Sequence, residues 1–192
     1  MEQTLTPAFL IRAYEQGFFP MGNEDGSIDW YWPDPRTIIE LDRFHVPRRL
    51  ARVVRQGRFE IVVDRDFSGV MRGCADREET WITAPIVDTY TALHRMGKAH
   101  SIEAYLNGRQ VGGLYGVSLG GAFMGESMFS RVTDASKVCL VALVERMKAR
   151  GYALLDVQFL TSHLHRFGAV EIARDDYLKR LRAALKRSCR FG

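Results

Sequence analysis

Cysteine is scarce in this chain, with three in 192 residues, at Cys74, Cys139 and Cys189. An odd and scattered set builds neither a disulfide framework nor a zinc knuckle, so the plain reading is incidental or buried thiols. No apolar run approaches the roughly 20 residues that a membrane span needs. The start, Met1-Glu2-Gln3-Thr4, has neither the basic nor the apolar region of a secretory signal. A cytoplasmic protein is expected. Repeats and low-complexity linkers are missing, so any subdomains should pack closely. There is no G-x-x-x-x-G-K-[ST] phosphate loop, no G-x-S-x-G nucleophile elbow and no H-E-x-x-H. His163 and His165 are two residues apart, the wrong spacing for one helix face, and no metal is expected. Gly112, Gly113, Gly116, Gly120 and Gly121 do not spell G-x-G-x-x-G, and they fall where strands and turns are expected.

What is present is an ordinary globular mixture, 46% hydrophobic, 26% charged and 11% aromatic, which excludes disorder as the main state. The charge is uneven. Residues 43–58 hold six arginines and no acid, a charge of +6, and residues 173–192 carry +5. With a net charge of +4, the remaining body carries −7. Two basic segments on an acidic body suit a polyanion in one place and a cation in another, or are solvated helix faces.

Thr6 and Pro7 open a helix that Gly17 stops. Phe18 to Gly22 reads as an apolar loop, and Trp30 to Arg36 as a loop stiffened by proline. Thr37 to Leu41 and Phe59 to Val63 read as strands. Pro47 starts a helix that places Arg48, Arg52 and Arg55 on one face. Asp66 caps a helix through Cys74, and Thr83 with Pro85 starts another through Met96. His100–Leu106 and Gln110–Val117 form a hairpin around Asn107-Gly108. Ala122–Phe129 is a third strand, and Asp134 caps a long helix, Ala135–Arg150. Then come a buried strand at Ala153–Gln158, a short helix from Thr161, a strand at Ala169–Ile172 and a helix at Asp175–Lys186. From about residue 98 the order is β-β-β-α-β-α-β-α. The expected fold is α+β, a GNAT-like C-terminal acyltransferase core (98–192) with a smaller N-terminal α/β subdomain (1–97).

A GNAT enzyme holds the coenzyme A pyrophosphate on a glycine-rich loop that opens the helix after a strand. Here that place reads Ser130-Arg131-Val132-Thr133-Asp134-Ala135-Ser136-Lys137, without the glycines, so coenzyme A is not expected. Asp156 and Gln158 are i and i+2 on a buried strand and point to one side. Such a pair is costly to bury unless its members bond each other or a ligand, and a structural pair tying down the next loop is the plainer reading. Glu126 is a second lone acid among apolar residues, beside Gly125, which can bulge the strand.

The sequence resembles the leucyl/phenylalanyl-tRNA–protein transferase family. The likeness runs over residues 5–180 through Gly17-Phe18-Phe19-Pro20, Trp32-Pro33-Asp34-Pro35-Arg36, Glu79-Thr80-Trp81-Ile82-Thr83, His100-Ser101-Ile102-Glu103 and Gly112-Gly113-Leu114-Tyr115-Gly116-Val117. It continues through Gly125-Glu126-Ser127-Met128-Phe129-Ser130-Arg131, Asp134-Ala135-Ser136-Lys137, Asp156-Val157-Gln158 and Phe167-Gly168-Ala169. The resemblance implies that Leu or Phe, with Met as a further fit, passes from aminoacyl-tRNA to the α-amine of proteins bearing N-terminal Arg or Lys. Those proteins would then be degraded by the N-degron pathway. No metal, no cofactor and no coenzyme A are implied.

By the resemblance, Gln158 accepts a proton from the amine with support from Asp156. Since an amide is a poor base, Gln158 is better read as orienting the amine while Asp156, the ribose or water carries the proton. Glu126 and Asp156 would face the guanidinium of an N-terminal Arg. The side-chain pocket of the family maps onto Trp81, Leu114, Phe123, Met128, Leu140, Leu143, Met147 and Leu155, most of which otherwise read as core. The tRNA would lie on Arg48, Arg52 and Arg55 through its phosphates. Trp30 and Trp32 either stack the terminal adenine or anchor a loop. Two departures stand out: the family usually has a further N-terminal segment, and it has aromatics where this chain has Met21, Leu143 and Met147. Alternatives are another aminoacyl-tRNA-dependent peptidyltransferase, an acyl-CoA acetyltransferase, and a non-catalytic tRNA-binding module.

Overall fold

The protein is described by a computed structural model covering residues 5–192; Met1 to Thr4, and the signal-peptide reading that rests on them, lie outside the described residues. Helix α1 (Pro7–Glu15) starts at Thr6, whose hydroxyl accepts from the Phe9 amide at 3.3 Å. Strands β1 (Phe19–Gly22) and β2 (Ile28–Tyr31) then pair as a two-stranded ribbon. Both segments were expected as loops. The aromatics decide otherwise: Phe19 faces Tyr31 across the ribbon with stacked rings 5.8 Å apart, and Pro20 sits on a two-stranded piece, where a missing ladder N–H is tolerated.

The main sheet has seven strands in the order β4-β5-β6-β7-β8-β3-β9. These are β3 (Arg36–Ile39), β4 (Glu60–Val63), β5 (Ala99–Leu106), β6 (Arg109–Leu119), β7 (Ala122–Ser130), β8 (Leu154–Gln158) and β9 (Ala169–Ile172). Every neighbouring pair is antiparallel except β7 and β8, which run parallel. Helix α5 (Ala135–Ala149) makes the crossover between them that a parallel pair requires. Asp134 precedes α5 but does not cap it in the expected way. Its backbone is left-handed (φ 72°) and its carboxylate accepts from Lys137 Nζ at 2.7 Å instead of from a helix amide.

The sheet also crosses the boundary expected at residue 97. β4 is the edge partner of β5, and β3 lies between β8 and β9. β3 is buried along its whole length, so it needs a neighbour on each edge to satisfy its backbone, and only the later strands supply both. The fold is α+β around one sheet with a core on each face. One core joins α1, α3 (Phe67–Ala75), α4 (Ala84–Arg95) and α7 (Arg174–Leu185); the other joins α2 (Arg48–Arg55), α5 and α6 (Ser162–His165). Among the described residues no helix is long and apolar enough to cross a membrane.

Candidate active site at the parting of two strands

The parallel pair β7 and β8 is short. It runs from Ala122 opposite Leu154 to Met124 opposite Asp156, and the ladder then stops. Two residues beyond, Glu126 and Gln158 face each other across the parting, and Gln158 Nε2 donates to Glu126 Oε1 at 3.1 Å. Two backbone irregularities aim these side chains. On β7, Tyr115 of β6 lies opposite Ser127 and Gly116 opposite Gly125, so Glu126 is the extra residue of a β-bulge. Gly116 makes that bulge possible, because a Cβ there would stand 2.2 Å from the Met124 carbonyl oxygen. On β8, Gln158 ends the strand in the left-handed region at φ 65°, rare for a residue with a side chain.

The parting opens a cavity of about 310 Å³. Leu114, Met128, Leu140, Leu143, Leu155 and Val157 line it from the α5 side, Met21, Trp81 and Tyr115 from the other core, and Glu126 and Gln158 stand between. Six of the eight expected pocket residues are therefore at the wall: Trp81, Leu114, Met128, Leu140, Leu143 and Leu155. Phe123 and Met147 are not. Phe123 stacks on Phe191 at 5.1 Å, deeper in the sheet, and Met147 is fully buried one turn beyond Leu143, about 6 Å further along the helix. Both are core.

Asp156 does not reach the cavity. It is wholly buried and takes bonds from Arg36 Nε at 2.9 Å and Nη2 at 2.6 Å, from the Tyr177 hydroxyl at 2.9 Å and from the Gln158 amide at 2.9 Å. Both of its carboxylate oxygens are thus engaged by protein donors, and neither is turned to the cavity. Glu126 is placed differently. Its other donor is the Tyr90 hydroxyl at 3.3 Å, which in turn bonds Tyr14. Burial pushes the Glu126 carboxyl up to about 7, the nearby Asp156 charge adds to the push, and hydrogen bonds from Tyr14 and Gln158 with the charge of Arg36 pull it back only in part. Such an acid exchanges a proton readily near neutrality. The Tyr115 hydroxyl is buried without a hydrogen-bond partner among the described residues, and burial raises its pKa well above the usual value.

A larger cavity, about 540 Å³, lies at the other end of β8 beside Ala153 and Leu154. Its two acids are Glu40, which is paired with Arg43 and Arg180, and Asp42, which is exposed, so it holds no buried acid comparable to Glu126. Arg48, Arg52 and Arg55 are exposed on α2, and among the described residues no acid pairs with them. They form one basic face but are not part of the cavity wall. Trp30 packs edge-on against Phe9, and Trp32 stacks on Phe18 with Arg174 over its ring at 4.0 Å, which is loop anchoring.

Residues 38–182 match the description of leucyl/phenylalanyl-tRNA protein transferase, and residues 3–34 match that of its N-terminal domain. A leucyl/phenylalanyl-tRNA–protein transferase of Gloeobacter violaceus is 56% identical over 98% of both chains. One of Herpetosiphon aurantiacus is 54% identical over the full length of both. The chain belongs to the leucyl/phenylalanyl-tRNA–protein transferase family. It is an aminoacyltransferase. Among solved structures, a functionally unknown conserved protein from Staphylococcus epidermidis superposes at TM-score 0.50 and 11% identity, over 89% of this chain and 66% of that one. A GCN5-related N-acetyltransferase-like protein from Streptococcus suis superposes at 0.42 and 17% identity, over 86% and 64%.

Within this transferase fold, several site residues carry no signal strong enough to find from the sequence. Tyr14 and Tyr90 read as members of apolar helix stripes and Tyr177 likewise, yet their hydroxyls serve Glu126 and Asp156. Arg77, which donates to Ser127 Oγ at 3.1 Å, and His163, held below its usual pKa by burial and by Lys137 and Arg166, also line the cavity. Arg36 ends the segment Trp32-Pro33-Asp34-Pro35-Arg36, and a charged residue at the start of an otherwise apolar strand is the one hint the sequence holds.

Proposed function

We propose that this chain transfers Leu or Phe from aminoacyl-tRNA to the α-amine of proteins with N-terminal Arg or Lys, in the cytoplasm, marking them for degradation. The aminoacyl ester is already activated, so the protein has to position and to move one proton. The side chain of the transferred residue enters the slot of Leu114, Met128, Leu140, Leu143 and Leu155. With Gln158 Nε2 committed to Glu126, the Gln158 Oε1 is left to accept from the incoming amine. The amine nitrogen attacks the ester carbonyl and the bond to the ribose oxygen breaks. Glu126 takes the amine proton and returns it to that oxygen, which leaves as the tRNA hydroxyl. An α-amine with a pKa of about 7.7–8.0 and a carboxyl near 7 are well matched for this exchange.

Glu126 carries this reading: a bulged, buried acid bonded to Gln158 at the wall of an apolar cavity. Asp156 supports the site from behind, and Arg36 already balances its charge. The tRNA phosphates meet Arg48, Arg52 and Arg55. The test is transfer of labelled Leu, Phe and Met from their tRNAs to peptides beginning Arg, Lys, Asp or Ala. Transfer to Arg and Lys alone is expected. Transfer to Asp would overturn the cation preference and leave the chemistry standing; tRNA binding without transfer would overturn both.

A further inference from the structure

Arg36 has no place among the expected site residues, yet its guanidinium is held on every side. It is 1% exposed and forms a two-pronged pair with Asp156, which is 0% exposed. Its Nη1 donates to the Gly17 carbonyl at 3.0 Å, and its guanidinium lies 4.7 Å from the Phe19 ring and 4.6 Å from the Tyr177 ring. One side chain thus joins the loop leading into β1, helix α7 and strand β8.

A buried ion pair is weak evidence of stabilisation, because desolvation offsets most of the attraction and apolar replacements are often neutral. Its consequence here is geometric. Asp156 Oδ1 accepts from the Gln158 backbone N–H at 2.9 Å, and Gln158 holds a left-handed φ of 65°. That conformation persists only where the surroundings enforce it. The enforcing contact is a carboxylate, and the carboxylate is itself held in place by the Arg36 fork.

We infer that Arg36 is a positioning residue for the transfer reaction: through Asp156 it holds the left-handed turn at Gln158 that presents the Gln158 amide to Glu126 and the cavity. This rests on the transferase reading above. Removing the guanidinium leaves a buried carboxylate with no counter-charge, and that carboxylate lets go of the Gln158 amide. Arg36 is not itself a residue of the cavity wall, so it acts on the rate and not on substrate capture.

Three variants test this: Arg36→Gln, Arg36→Lys, and Arg36→Gln combined with Asp156→Asn. The neutral pair keeps a carbonyl that can accept from the Gln158 amide and removes the uncompensated charge. Arg36→Gln is expected to lower kcat about 10- to 100-fold, the cost of a misplacement near 1 Å, with KM for Leu-tRNA changed less than about 3-fold. Arg36→Lys falls between it and the wild type, and the neutral pair recovers about 10-fold of the loss. Hydrogen exchange of the Gln158 amide, read separately, is slow in the wild type, fast in Arg36→Gln and slow again in the neutral pair. An unchanged kcat in a folded Arg36→Gln overturns the inference. So does a neutral pair no better than the single variant. If Arg36→Gln does not fold, a folded Arg36→Lys with unchanged kcat and only a lower Tm overturns it equally. A wild type that fails to transfer, with the exchange pattern as expected, counts against the transferase reading and leaves the role of Arg36 in place.

Discussion

Two buried glutamates sit on neighbouring parts of the same sheet and have opposite lives. Glu103, on β5, is 0% exposed and accepts from the Asp66 amide, Ser101, Tyr105 and Gln110 at 2.8–3.2 Å. It lines neither the 310 Å³ nor the 540 Å³ cavity, and the cation that feels its charge is Arg65. Glu126, on β7, is 8% exposed, takes one bond from Gln158 and a longer one from Tyr90, and stands at the wall of the 310 Å³ cavity. Burial of an acid therefore does not mark a site. A saturated acid ties a strand to a helix cap, while an acid with capacity to spare beside a cavity can move a proton.

The sharpest way to break the contrast is Glu126→Gln, which keeps shape and removes the base. It should lower kcat by about 100-fold or more, as measured in single-turnover transfer. A loss below threefold would show that Glu126 moves no proton.

The same group should set the pH dependence. Only ionised Glu126 accepts a proton, so kcat should rise with pH up to about 7 and then level, and Glu126→Gln should flatten that limb. Stability should run the other way. The folded value of about 7 lies above the ordinary 4.5, so the folded state binds a proton that the unfolded state releases. Unfolding free energy should therefore fall by about 3 kcal/mol as pH rises from 4.5 to 7 from this group alone. Urea titrations of wild type and Glu126→Gln at those two pH values measure the difference.

Glu103→Gln should give the complementary result. Its amide nitrogen meets donors it cannot accept from, at a cost of about 1–3 kcal/mol in stability, with kcat of the folded enzyme unchanged. A comparable loss of turnover would erase the distinction between the two acids.

Smaller effects sharpen the cavity against the core. Leu143→Ala enlarges the slot and should raise the Phe-to-Leu ratio of kcat/KM by about tenfold, whereas Met147→Ala should leave that ratio alone and cost about 2–5 kcal/mol of stability. Least of all, Arg52→Ala should weaken tRNA binding a few-fold and reduce the salt slope of log K by about 1. An unchanged slope would move the tRNA off α2.

Most helices and strands were legible in the sequence, because their signals are local. Thr6, Asp66 and Thr161 cap the helices they announce, and Asn107-Gly108 turns the hairpin of β5 and β6. The ribbon of β1 and β2 was missed because its pairing is held by aromatic contacts between segments that look like loops. The pocket was legible only through likeness to a family, since Leu140 and Leu143 at a cavity wall look the same in sequence as Met147 beneath it.

Composition, caps, turn residues and apolar periodicity are properties of neighbours in the chain, so they set the elements, the basic faces and the polar pair on β8 without help from the fold. The function of that pair depends on distances between residues far apart in sequence: Arg36 and Asp156, 120 positions apart, and Glu126 and Gln158, 32 apart. The bulge at Glu126 and the left-handed turn at Gln158 come from strand pairing and a buried ion pair. Those decide which carboxylate is held fast and which is free to exchange a proton, because only packing determines how many donors reach each oxygen and how much water is left.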